Sequence, residues 1–160
     1  MTMRTVLFMG LALAFVAGAV AAGGVSPAAA QGPLGTQDRD RGRDFAVFAT
    51  FLTGAAEPNG GDPDGVGGAT IVLHANRGQV CFALAVARIA PANAAHIHQA
   101  PVGVNGPIVV PLTPPTNGVS FGCTSADRAL ISAIIANPAG FYVNVHNADF
   151  PGGALRGQLR

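Results

Sequence analysis

The chain carries four histidines among its 160 residues, and two of them flank a single isoleucine in His96-Ile97-His98. In an extended strand, residues two apart face the same side, with Cα atoms about 6.5 Å apart. Two imidazoles at that spacing can both reach one ion at about 2.0–2.1 Å. Ala95 and Ile97 are apolar and take the opposite, core-facing side. A third histidine ends the run Phe141-Tyr142-Val143-Asn144-Val145-His146. Alternation puts Phe141, Val143 and Val145 on one face and Tyr142, Asn144 and His146 on the other. If the two strands are neighbours, His96, His98 and His146 meet on the polar outer face of one sheet. Three imidazoles suit zinc with an open position, or copper. Tyr142 or Asn144 would then orient a ring from beside it. The plainer alternative makes the histidines structural, hydrogen-bonded to loops or stacked on Tyr142. His74 follows Ile71-Val72-Leu73, has no companion, and reads as structural.

Arg156 and Gln158 share a face of the last apolar-alternating run, opposite Leu155 and Leu159. Arg156 is expected either to clamp a loop, through carbonyls or a carboxylate such as Asp149, or to guide an anion toward the histidines. Asp62-Pro63-Asp64-Gly65, with Glu57 nearby, has the acids of a calcium loop but lacks its spacing and terminal Glu, so ordinary turn chemistry is the stronger reading. No G-x-S-x-G, carboxylate pair or phosphate-cradling glycine motif is present, and the serines have no evident base beside them. The balance leans away from an enzyme.

These side chains need a scaffold, and the composition describes it. Charged residues are 11%, hydrophobic residues 49%, and there are 22 Gly and 12 Pro. That apolar content excludes disorder, and the Gly and Pro content excludes a coiled coil. The net charge of +1 leaves no basic footprint for nucleic acid. Arg4 precedes an uncharged apolar run from Val6 to Val20, then Gly23, Gly24, Ser26 and Pro27, then Ala28-Ala29-Ala30 before Gln31. This is the pattern of a secretory signal peptide over 1–30. Its apolar core is short for a membrane span, which needs about 20 residues. Export to the envelope, surface or exterior is therefore expected, with no membrane span after cleavage. Cys81 and Cys123 are the only cysteines, and an even pair in an exported chain predicts one disulfide.

Residues 31–44 read as a flexible polar lead-in, and the domain as 45–160. Short strands are predicted over 45–52, 69–74, 79–89, 94–98, 108–112, 119–122, 141–146 and 154–159, with turn residues between them. One helix is predicted over about 125–136, capped from Thr124-Ser125-Ala126-Asp127 and ended before Pro138. The fold class is mainly β: an antiparallel, Greek-key-like sandwich or barrel of seven or eight strands with one short helix.

Five segments, in order, carry a resemblance. They are Phe51-Leu52-Thr53-Gly54 with Glu57-Pro58, Ala95-His96-Ile97-His98, Gly106-Pro107-Ile108-Val109, Tyr142-Val143-Asn144-Val145-His146, and Pro151-Gly152-Gly153-Ala154-Leu155-Arg156-Gly157-Gln158-Leu159. The domain resembles the CHRD family, named after chordin, over about 45–160. The resemblance implies an extracellular β domain that binds a protein or other ligand, and it supplies no catalytic residues. A shorter likeness links Ala95-His96-Ile97-His98 to the copper-site strand of copper/zinc superoxide dismutase. There it implies copper at His96 and His98, His146 as the later ligand, and Arg156 as the anion guide. The histidine-rich zinc loop and bridging histidine of that enzyme have no counterpart between His98 and His146. The expected function is a secreted or envelope CHRD-type binding module. The alternative is a three-histidine copper or zinc protein with redox activity.

Overall fold

The structure is a computed structural model that describes residues 44–160. The predicted leader, and all but the last residue of the lead-in, lie outside the described residues. The elements are β1 (Phe45–Thr53), β2 (Val66–His74), β3 (Gln79–Ala87), β4 (Ala92–Gln99), β5 (Ile108–Leu112), β6 (Val119–Ser125), α1 (Arg128–Ala136), β7 (Phe141–Asn147) and β8 (Leu155–Gln158). Eight strands form one antiparallel sheet in the order β5-β4-β7-β8-β1-β2-β3-β6.

The sheet curls into a nearly closed barrel. Its two edge strands, β5 and β6, are consecutive in the chain, and Ser120 Oγ donates across to the Thr113 carbonyl at 2.8 Å. Closure of this kind protects edges that would otherwise pair with other chains. The inner face carries the core: Leu52, Ile71, Leu73, Val80, Ile97, Val110, Val143, Val145 and Leu155 are fully buried. Ile131 and Ile134 of α1 join the same cluster. Truncating either to Ala is expected to cost about 2–5 kcal/mol.

Most strand ends fall within one or two residues of the sequence reading, and the boundaries around the helix and the second strand differ by more. The helix begins at Arg128, because Asp127 is the cap: its Oδ1 accepts from Ala129 N at 2.8 Å and Leu130 N at 3.1 Å. Thr124 and Ser125 instead extend β6, where they pair with Val80 and Gln79. The second strand begins at Val66, taking in Gly67-Gly68, which reads as loop in the sequence. A Cβ on Gly67 would approach the Ala85 carbonyl on β3 to 2.8 Å, so glycine is needed for that strand pairing.

The cysteines face each other across β3 and β6 and form a disulfide, with Cα atoms 3.9 Å apart. Gly78, in the left-handed conformation at φ 60°, turns the chain from β2 into β3.

Candidate metal centre

β4 pairs with β7, so the register sets Ala94 opposite His146, His96 opposite Asn144, and His98 opposite Tyr142. All of these except Ala94 are polar or aromatic, and they lie on the outer face, as Ala95, Ile97, Val143 and Val145 are turned into the core. His98 is only 8% exposed, while His96 and His146 are half-buried. One ligand nitrogen from each of the three rings lies within 4.8 Å of the others.

Backbone carbonyls fix two of the rings. His98 Nδ1 lies 2.9 Å from the Gly106 carbonyl, and His146 Nδ1 lies 3.0 Å from the Pro151 carbonyl. A carbonyl only accepts, so each Nδ1 carries its proton and each Nε2 presents a lone pair. This is how ligating histidines are oriented in metal sites. His98 Nε2 is buried and has no hydrogen-bond partner. His96 Nδ1 and His146 Nε2 are 3.3 Å apart. As a hydrogen bond, that contact has His96 donating. Two donors around a tetrahedral ion at about 2.05 Å stand about 3.3 Å apart as well.

All three histidines are held below their ordinary proton affinity. Burial comes first for His96, followed by its two histidine neighbours, and together they bring it from 6.5 to about 4. Burial also lowers His98 and His146, against the opposing pull of the Gly106 and Pro151 carbonyls. Neutral imidazole is the ligating form, so burial favours the state that binds a metal.

Arg156 explains why the Gly106 carbonyl is where it is. Its guanidinium, 2% exposed, donates to Pro101 O at 3.0 Å, Val104 O at 2.9 Å and Asn105 Oδ1 at 3.3 Å. Arg156 is thus a loop clamp, and its partners are carbonyls and an amide rather than Asp149. Its central carbon sits 3.4 Å from the centre of the Tyr142 ring. On the β4 side of that ring His98 stacks at 4.8 Å and 9°. The Tyr142 hydroxyl accepts from Gly106 N at 3.2 Å, and Gln158 Nε2 holds Ala100 O at 2.9 Å. Gly106 must be glycine here, since a Cβ would collide with the Gln99 carbonyl. The 100–107 loop is therefore pinned from below by β7 and β8, and it in turn orients His98.

Asn144 donates to Glu57 Oε1 at 2.8 Å, and its own Oδ1 is buried without a partner. Burial raises the Glu57 carboxyl, with the Arg156 charge and the Asn144 amide holding it back. Glu57 is thus a buried brace between the 54–65 loop and β7. That role has no signal in the sequence beyond a lone Glu in a Gly-rich stretch. The calcium alternative fares differently: Asp62 Oδ1 accepts from Gly65 N at 3.1 Å, a turn contact, while the Asp64 side chain lies 3.9 Å from Arg88. Among the described residues, the acids near Asp62 form no ligand cluster. His74 packs on Phe45, with ring centroids 5.0 Å apart, away from the other three.

The fold and the cluster define a nearly closed β-barrel with a histidine triad under loops on its outer face. The family model of the CHRD domain matches residues 48–159, and the chain belongs to the CHRD domain family. No curated protein and no solved structure matches it.

Proposed function

We propose that this chain is an exported CHRD-type binding module whose ligand is one copper or zinc ion held by His96, His98 and His146. One observation carries the reading: His98 Nε2 is buried and unpartnered, while its Nδ1 is fixed by Gly106. A buried polar atom left unpaired costs about 1–3 kcal/mol, and an ion is the partner this geometry suits. His96 would join the ion with its proton moved from Nδ1 to Nε2, giving up its hydrogen bond to His146. The signal-peptide pattern and the disulfide support export, since disulfides persist in oxidising compartments. N-terminal sequencing of the secreted protein is expected to start at Gln31.

The test is a stability measurement with and without metal. An ion that binds only the folded state at a hundredfold excess over Kd stabilises by about 2.7 kcal/mol. Copper(II) or zinc(II) is expected to raise the melting temperature of the wild type and leave His98→Ala unmoved. No rise with either ion would refute the reading.

A second reading, a macromolecular partner, has its own observation. The pinned 100–107 loop exposes Val102 and Val104 to solvent beside the cluster. A partner docking there is expected to survive His96→Ala and to be lost in Val102→Asp. The reverse pattern in a pull-down would assign the partner to the ion.

A further inference from the structure

The other half of the outer sheet face has a different chemistry. β1, β2, β3 and β6 are four adjacent strands without a single Asp, Glu, Lys or Arg. Phe51 on β1 is 80% exposed and Phe121 on β6 is 83% exposed. The registers place Phe51, Gly68 and Ala85 in one cross-strand row, and Thr70, Ala83 and Phe121 in the next. The two phenyl rings therefore stand three strand spacings apart, about 14 Å, at opposite ends of adjacent rows. Between them lies an open hollow of about 560 Å³ floored by the small residues.

We propose that this face is the interface of a homodimer, in which the hollow of one copy receives an exposed phenyl ring of the other. The occupant follows from shape, charge and size. A two-fold partner must offer the same surface back, so a self-fitting face needs both knobs and holes. Two phenyl knobs flank one hollow here, and a partner displaced along the face sets a ring into it while receiving one in return. A face without charge offers nothing to an acidic or basic partner. Four strands at about 4.8 Å and a length of about 27 Å give roughly 500 Å² per copy, or about 1,000 Å² in total, the size at which specific interfaces begin. Packed sheets of this kind lie about 10 Å apart. Val47 and Val119, also exposed, extend the apolar surface on either side. The disulfide between β3 and β6 lies on this same face and holds its edge strand in place. The dimer does not require the ion, whose ligands lie on β4 and β7.

Sedimentation equilibrium of the chain secreted by an exporting host tests this across the micromolar range. Wild type is expected to dimerise, and Phe121→Glu and Phe51→Glu to raise the dimer Kd by about thirtyfold or more. Gly68→Val is the second variant. A Cβ there meets only the Thr50 carbonyl at 3.9 Å, so the barrel accepts it, while the hollow is filled. It is expected to keep the circular dichroism of wild type and weaken the dimer. A wild type that stays monomeric, or a dimer unmoved by all three variants, would overturn the proposal. So would a monomer that binds phosphatidylcholine vesicles and loses them in Phe121→Glu, since the face would then belong to a lipid surface.

Discussion

The outer surface of this barrel has two halves built on one sheet. On β4, β7 and β8 it carries His96, His98, Tyr142, Asn144, His146 and Arg156, and loops fold over it. On β1, β2, β3 and β6 it carries Phe51, Phe121, Val47 and small residues, left bare to solvent. The interior beneath both halves is the same kind of apolar core. The difference shows what each surface needs. Polar groups become a site only when burial and fixed partners orient them, and here the loops supply both. An apolar face needs no orienting partner; its shape is fixed by strand register and a disulfide.

Breaking the covered half should have the largest effect. Arg156→Ala removes three hydrogen bonds and the charge over Tyr142, leaving Pro101 and Val104 carbonyls without their donor. A loss of about 3–5 kcal/mol is expected in denaturant titrations, together with weaker metal retention as the loop releases Gly106. A loss under about 1 kcal/mol would mean that the loop holds itself.

Reduction of Cys81–Cys123 acts on the bare half. The pair closes a loop with a sequence separation of 42 residues, and its loss is expected to cost about 2–4 kcal/mol. Metal retention at the opposite half should persist wherever the reduced protein remains folded. Equal melting temperatures with and without reductant would contradict the stabilising role.

Tyr142→Phe is a finer probe of the covered half. It keeps the ring between His98 and Arg156 and deletes only the hydroxyl that accepts from Gly106. The expected cost is about 1 kcal/mol, read from chemical denaturation. A cost several times larger would show that the hydroxyl, rather than Arg156, sets the loop.

Acid sensitivity separates the halves without mutation. The folded histidines have lowered proton affinity, His96 to about 4, whereas the unfolded chain protonates near 6.5. From pH 6.5 down to about 4 the unfolded state binds more protons, so stability of the metal-free protein falls as pH falls. Glu57 acts in the opposite sense, because its raised affinity favours the folded state as it protonates. Three groups against one predict a net loss, measured as melting temperature against pH. An acid loss abolished or reversed in His96→Ala/His98→Ala/His146→Ala, where the Glu57 contribution remains, would tie the loss to the cluster; the same slope in that variant would not.

The mainly β antiparallel class, the single disulfide and the meeting of the three histidines were legible in the sequence, because alternation fixes which face each residue takes; the choice between sandwich and barrel was not, since it rests on which strands pair. Ile97 between two histidines already says which way both must point. Gly67-Gly68 misled, since glycine pairs signal turns locally and only tertiary pairing makes them strand. The Asp127 cap was hidden because Thr124 and Ser125 are equally good caps until β3 claims them. The carbonyls of Gly106 and Pro151 were not legible at all, as a backbone oxygen leaves no mark on residue type. The placement of Gly106 depends on the loop that Arg156 clamps, some fifty residues away from Arg156 in sequence.

The measurement closest to the central claim is the metal content of the purified protein after loading with copper or zinc and exhaustive dialysis. His98→Ala, His146→Ala and His74→Ala should be run beside it. One equivalent in wild type and in His74→Ala, lost in the other two, is the predicted result. Wild type that retains no metal, or His98→Ala that retains a full equivalent, would contradict it.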